Sequence, residues 1–215
     1  MNKKVIVFDM DGVLFDTIAL VNQFFLTSFP TMKQEDMNNI LTGNFHEELA
    51  KFKANNKKLE ETPEEKKARN DKYVAEKEMS PLYEGVKEIL EELKSQGFTL
   101  TINTSAFEKN CLPLLKRTNI DNLFDFVATK EISISKVEKF KIIAEKYNIK
   151  PSDLLFITDT LGDVREAKEL DVPTIAVTYG AHGAGYFNKE DNGNLRAIVG
   201  SVPELGLAIK SILAI

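Results

Sequence analysis

Asp9 and Asp11 stand two residues apart, directly behind the apolar run Val5-Ile6-Val7-Phe8, and Gly12 follows them. In extended chain, side chains two residues apart point to the same side, so both carboxylates face one space. Glycine then permits a sharp change of direction. An Asp-x-Asp alone arises often by chance, with solvated aspartates at a strand-end turn. Behind a four-residue β-favouring run it is far more specific. A third carboxylate, Asp159, lies just past a second apolar run at 154–157, with Asp163 four residues further on. Carboxylates gathered in one place repel each other unless a cation sits among them. Oxygen donors in small number suit Mg²⁺, which keeps several waters and takes other ligands from a substrate phosphate. The only histidines are His46 and His182, and no His/Cys cluster has zinc spacing.

The elements around these residues bring them together. Continuous apolar runs of four to six residues suit strands buried on both faces of a parallel sheet. Such runs occupy 5–8, 154–157 and 174–177, the segment 98–103 also looks like a strand, and shorter runs follow at 126–128 and 197–199. Between them lie helical stripes: Val86, Ile89, Leu90 and Leu93, ending near Gly97; 106–117, with Pro113 predicting a kink or a break; Val137, Phe140, Ala144 and Tyr147; Val164, Ala167 and Leu170; and a last helix over 203–213. This alternation predicts an α/β fold with a doubly wound, Rossmann-like parallel sheet. In such a sheet the carboxyl ends of the strands share one edge, where open α/β folds bind ligands. Asp9, Asp11, the Asn103-Thr104-Ser105 run and Asp159 would therefore converge, although more than a hundred positions separate them.

Residues 17–80 differ. They open on an apolar stretch (Ile18, Leu20, Val21, Phe24, Phe25), then turn rich in Lys and Glu, with no convincing strand. The charged part reads as solvated helix faces. The expectation is a small helical insert at 17–80 and an α/β core made of 1–16 and 81–215. Gly43-Asn44-Phe45-His46 is the insert's one turn signal with mixed polar and aromatic groups. The Gly180–Gly185 stretch lacks the dinucleotide-binding spacing and reads as a flexible loop.

With 215 residues, 43% apolar and 28% charged, the chain fits an ordinary soluble globular protein. A net charge of -5 gives no general field for nucleic acid, so an anionic substrate needs local help. The single cysteine, Cys111, excludes an internal disulfide and reads as a small core residue. No run is long enough for an export signal or a membrane span, so a cytoplasmic enzyme without membrane or nucleic-acid partners is expected. Oligomeric state is open.

Residues 5–16, VIVFDMDGVLFD, resemble the first motif of the haloacid dehalogenase superfamily in its phosphatase form, of the phosphoglycolate phosphatase and β-phosphoglucomutase type. Thr104 resembles that family's second motif, Lys136 its third, and Thr158-Asp159-Thr160-Leu161-Gly162-Asp163 its acidic fourth. The sequence departs from the pattern at Thr158, Ser105 and Val137, where Gly, Asn and Pro are common. Lys130 and Lys139 compete with Lys136 for the lysine role. The insert at 17–80 matches the position of the family's helical cap.

The resemblance implies a magnesium-dependent phosphohydrolase acting on a small phosphorylated metabolite. Asp9 would be the nucleophile and form an aspartyl phosphate, and Asp11 the general acid and base. Mg²⁺ would lie among Asp9, the backbone carbonyl of Asp11, Asp159 and the phosphate, with Asp163 orienting bound water or Lys136. Thr104 and Lys136 would stabilise the phosphoryl oxygens, with Gly12 and Ser105 beside them. Asn44, Phe45 and His46 would face the substrate from the cap. Two alternatives share these residues: a sugar phosphomutase, and a non-catalytic binding protein that reuses the fold.

Overall fold

Both faces of the central strands are apolar because both are covered. A computed structural model describes residues 4–188 and 193–215. Among them are strands β1 (Val5–Phe8), β2 (Thr99–Asn103), β3 (Phe126–Ala128), β4 (Leu154–Thr158), β5 (Thr174–Val177) and β6 (Leu195–Val199). All pair in parallel, in the order β3-β2-β1-β4-β5-β6. Ile6 and Phe8 of β1, with Leu155 and Ile157 of β4, enter one core. Val5 and Val7, with Leu154 and Phe156, enter the opposite one. The period of two thus shows in which core each residue joins, not in polarity.

Four helices fall between β1 and β2 before the core resumes: α1 (Ile18–Ser28), α2 (Gln34–Ile40), α3 (Phe45–Asn55) and α4 (Pro63–Glu78). They carry a small core of their own around Phe29, Met37, Ile40 and Leu49. The chain enters and leaves this insert at neighbouring points. Phe15 bridges Leu82 in antiparallel fashion, Asp16 N–H donates to the Pro81 carbonyl at 3.1 Å, and Tyr83 N–H to the Leu14 carbonyl at 3.0 Å.

The remaining helices cover the sheet. α5 (Val86–Ser95), α6 (Glu108–Arg117) and α10 (Val202–Leu213) supply Leu90, Leu114 and Ile209 to the first core. α7 (Lys136–Tyr147) and α8 (Leu161–Lys168) supply Phe140, Ile143 and Ala167 to the second. Pro113 sits inside α6 without ending it. Cys111 is fully buried beside it. The 180–185 loop differs from expectation: the one-turn helix α9 (Ala184–Phe187) follows at once. His182, stacked on Tyr186 at 4.0 Å, is buried rather than mobile. No helix among the described residues is long and apolar enough to cross a membrane.

The strand order reverses between β1 and β4, so the loops leaving these neighbours diverge and open a crevice. The insert lies against that crevice through backbone contacts. Gly162 N–H, an orphan donor in the first turn of α8, reaches the Leu41 carbonyl at 2.9 Å. A Cβ on Gly162 would lie 2.1 Å from the Gly43 carbonyl oxygen, so only glycine allows this approach. Gly162→Ala should therefore push the insert off α8 and destabilise the protein by about 1–3 kcal/mol. Chemical denaturation should read the loss, and limited proteolysis should find new cleavage within 29–62; wild-type behaviour in both would show that the approach is not tight.

Candidate active site

Asp9 leaves β1 with its N–H bonded to the Ile157 carbonyl of β4 at 2.9 Å, so its position is set by sheet pairing. Its Oδ1 accepts from Met10 N–H at 2.7 Å, and its Oδ2 lies 2.8 Å from Lys136 Nζ. The same ammonium reaches Asp163 Oδ2 at 2.6 Å. Asp163 is also held by the Thr158 hydroxyl at 2.6 Å. All four side chains are buried. Burial pushes the Asp9 carboxyl up to about 7, against the pull of Lys136 and with a further push from Asp163. Asp163 moves the other way: burial opposes it, but Lys136 and the Thr158 hydrogen bond hold it below the usual carboxylate range.

Asp159 occupies the end of β4. Its Oδ2 accepts from Ala181 N–H at 2.7 Å, while its Oδ1 is buried without a hydrogen-bond partner. Burial and the Asp9 charge raise its pKa well above normal. Gly12, at φ +73°, lies against it; a Cβ there would stand 2.0 Å from Asp159 Oδ2. Among the described residues no three His, Cys, Asp or Glu side chains already form a metal cage. An orphaned buried carboxylate oxygen next to Asp9 nevertheless fits a cation that takes its remaining ligands from backbone, water and phosphate. Asp163 is spent on Lys136 and Thr158.

The three competing lysines separate by position. Lys136, at the start of α7, is the one that touches Asp9 and Asp163. Lys139, one turn later and also buried, donates to the Thr104 carbonyl at 2.5 Å and props the loop after β2. Burial, together with the Lys136 charge, pulls its pKa down to about 8. Lys130 lies over the Phe107 ring at 4.2 Å, away from Asp9. The Thr104 hydroxyl oxygen accepts from Ala106 N–H at 3.1 Å, which leaves its O–H free to donate.

Asp11 has partners that the sequence reading missed. Thr17 Oγ1 donates to its Oδ1 and Lys77 Nζ to its Oδ2, both at 2.7 Å. Lys77 belongs to the Lys/Glu-rich stretch expected to be solvated, yet it is 1% exposed. The α4 face that carries it reads Asn70, Tyr73, Val74, Lys77, an i, i+3, i+4, i+7 stripe that turns inward.

The expected substrate loop divides. Asn44 does not line the cavity. Its Oδ1 caps α3 by accepting from His46 and Glu47 N–H, and its Nδ2 donates to the Ile134 carbonyl and to Glu166. Its amide is thus used up in fastening the insert to the core. Phe45, His46 and Ser105 do line the cavity. His46 Nε2 faces the Ser105 carbonyl at 3.0 Å and so carries the proton. Burial, with Lys130 close by, depresses its pKa to about 4. His182 accepts from Leu161 N–H through Nδ1 and donates to the Asn38 carbonyl through Nε2, a second tie between core and insert.

Between insert and core lies a cavity of about 360 Å³. Asp9, Asp11, Thr104, Lys136, Asp159 and Asp163 form its floor, and the insert forms its roof. Gly12 stands behind Asp159 rather than on the cavity wall.

A family profile described as "Haloacid dehalogenase-like hydrolase" matches residues 6–177. The chain is 30% identical, over 82% of its length and 86% of the relative's, to a protein named phosphoglycolate phosphatase from Mannheimia succiniciproducens. It is 27% identical, over 86% of its length and 88% of the relative's, to a protein named pyrophosphatase PpaX from Bacillus mycoides. CbbY from Rhodobacter sphaeroides, crystallised with phosphate, shares the fold with a TM-score of 0.74 at 22% identity, over 95% of this chain and 96% of that one.

The depressed His46 has a consequence for stability. Its folded pKa lies below 6.5, so the neutral form is favoured in the fold. The stabilisation is present above pH 6.5 and is lost as pH falls from there to about 4, the window in which the unfolded chain alone takes up the proton. Wild type should therefore lose more stability than His46→Gln between pH 6.5 and 4, measured by urea unfolding. Parallel curves would mean that His46 titrates normally.

Proposed function

The chain belongs to the haloacid dehalogenase-like hydrolase family, and on that premise we propose that it is a magnesium-dependent phosphohydrolase of small phosphomonoesters, working through a phosphorylated Asp9. The observation that carries this reading is the buried Asp9–Lys136–Asp163 cluster beside the orphaned Asp159 oxygen, at the floor of a cavity between core and insert.

Mg²⁺, held by Asp9, Asp159 and the Asp11 backbone carbonyl, would offset the repulsion between an anionic nucleophile and an anionic ester. The chain's own groups do the rest. Lys136 uses two of its protons on Asp9 and Asp163 and has a third for a phosphoryl oxygen. The free Thr104 O–H donates to another. Asp9 attacks phosphorus as the bond to the leaving oxygen breaks, and Asp11 gives that oxygen a proton. Water then attacks the phosphorus, passes a proton back to Asp11 and releases Asp9. Thr17 and Lys77 aim the Asp11 carboxyl and set its angle. Because Lys77 comes from the insert, the acid is fully fixed only with the insert in place.

Two measurements test this. Phosphate release from an aryl phosphate should require Mg²⁺ and stop with a chelator; interconversion of sugar monophosphates without phosphate release would favour the mutase instead. Mg²⁺ should also stabilise the fold. Raising Asp9 from 3.8 to about 7 means that its ionisation costs stability increasingly above pH 3.8, and fully above 7. A cation relieves that cost, so the Mg²⁺-induced rise in Tm should be larger at pH 8 than at pH 6. Equal shifts would place the cation elsewhere.

The two aspartates of the first motif should also separate. Asp9→Ala should abolish turnover for every leaving group. Asp11→Ala should cost about a hundred- to ten-thousand-fold on an alkyl phosphate but far less on nitrophenyl phosphate, whose leaving group needs little protonation. Lys77→Met should follow the Asp11→Ala pattern with smaller losses, about tenfold on the alkyl ester. Rapid-quench first turnovers keep the second step from masking the first. Equal losses on both esters would remove Asp11 from the acid role.

A further inference from the structure

Two of the five lysines that line the cavity are already committed. Lys136 serves Asp9 and Asp163, and Lys77 serves Asp11. Three others on the same cavity form no salt bridge among the described residues: Lys53 of α3 and Lys109 of α6, both exposed, and the half-buried Lys130 after β3, whose charge reaches the neighbouring Glu131. Their recorded contacts are ring faces, Phe29 for Lys53 and Phe107 for the other two. Burial first, then the charges of Lys58 and Lys130, hold the Lys53 ammonium below its usual range. In a chain of net charge -5, like charges without a salt bridge line one hollow from three separate elements.

The insert side of the hollow is apolar. Phe24 and Tyr73 lie 4.3 Å apart in a tilted stack, and Phe25 meets Phe45 edge-on at 5.6 Å. All four are only half-buried and line the cavity. Roughly 150 Å³ is enough for a cavity to take a benzene ring. The 360 Å³ here therefore holds a phosphoryl group and a ring-sized body together. A buried Asn110 Oδ1 without a partner adds an acceptor on the same wall. A phosphate or glycolate leaving group would bring an anion but nothing to cover the aromatic rings.

We propose that the cavity selects a phosphomonoester whose leaving group is a ring-sized apolar body bearing a second anion, with the body against Phe24, Phe25, Phe45 and Tyr73 and the anion at Lys53 and Lys130, with Lys109 beside them. This rests on the phosphohydrolase reading above and adds the substrate class to it. Lys53 is carried on the insert and Lys130 on the core, so the distal anion bridges the two and favours the closed arrangement.

The test compares 4-carboxyphenyl phosphate with its neutral isostere 4-carbamoylphenyl phosphate, alongside phosphoglycolate and pyrophosphate, all with Mg²⁺. The carboxylate should improve kcat/KM about tenfold, mainly through KM, the size of one charge-assisted contact at a partly exposed site. That advantage should shrink with added salt. Lys53→Met and Lys130→Met should each collapse the ratio between the two aryl esters, and Lys53→Arg should keep it. Phe24→Ala should weaken both aryl esters relative to pyrophosphate. An equal rate for the two isosteres, or a ratio unmoved by either lysine variant, would overturn the distal anion site. Phosphoglycolate outpacing both aryl esters would overturn the apolar body. If no ester is turned over, the hydrolase reading fails. Calorimetric binding of 4-carboxybenzylphosphonate against its carbamoyl analogue then decides the inference alone: a preference for the carboxylate supports it, and equal affinity overturns it.

Discussion

Lys136 stands between two carboxylates that the sheet forces together. Two like charges about 4 Å apart cost about 4 kcal/mol at an effective dielectric near 20, and more where water is excluded. Asp9 and Asp163 meet the same ammonium at 2.8 and 2.6 Å, which turns a repulsion into a bridge. Taking one partner from a buried ionic cluster is far more costly than never having built it. The supports of this lysine are accordingly extensive. Lys136 N–H donates to Glu166, and Glu166 also accepts from Asn44 of the insert. Asn103 donates to the Lys136 carbonyl. Phe156 lies beneath the ammonium at 5.2 Å. The burden is shared unequally: Asp163 receives the hydrogen bonds and stays ionised, while Asp9 is left short of compensation. A carboxylate that lacks compensating positive charge is the outcome of that imbalance.

Topology makes the cluster possible. β1 and β4 are neighbours although about 145 residues lie between them, and they deliver Asp9 and Asp159 to one crevice. The insert, placed between β1 and β2, then reaches back over the same edge. It contributes Lys77 to Asp11, Leu41 to the first turn of α8 and Asn38 to His182. Core and roof are therefore joined beside the carboxylate cluster.

Much of this was legible in the sequence. Apolar runs buried on both faces are unmistakable, and the polar residues at their ends mark the site edge. Lys136 could be assigned only against two close competitors: Lys139 differs from it by its phase on α7, and Lys130 lies before that helix altogether. Lys77 was missed for a related reason. In a run of Lys and Glu, each lysine looks solvated, and its partner Asp11 is 66 positions away. The stripe of Asn70, Tyr73, Val74 and Lys77 carried the signal. Asn44 was misjudged because a polar residue after glycine suggested contact with substrate. Asn44 with Glu47 three residues on is also a helix-start pattern, and that reading matches its hydrogen bonds. Pro113 predicted a kink or a break, and α6 continues through it.

The small antiparallel ribbon at Phe15 and Leu82 has an implication for how such molecules diversify. The ends of the 17–80 segment are stitched together by backbone hydrogen bonds that belong to the core. The entropy of closing a connection depends only weakly on its length, so the core registers the segment's two anchor points more than its content. A shorter loop or a wholly different module could be spliced at the same seam with little penalty to the sheet. Residues on the sheet edge and residues within the insert can thus change at independent rates. The exceptions are Asn38, Leu41, Asn44 and Lys77, the contacts a replacement module would have to reproduce.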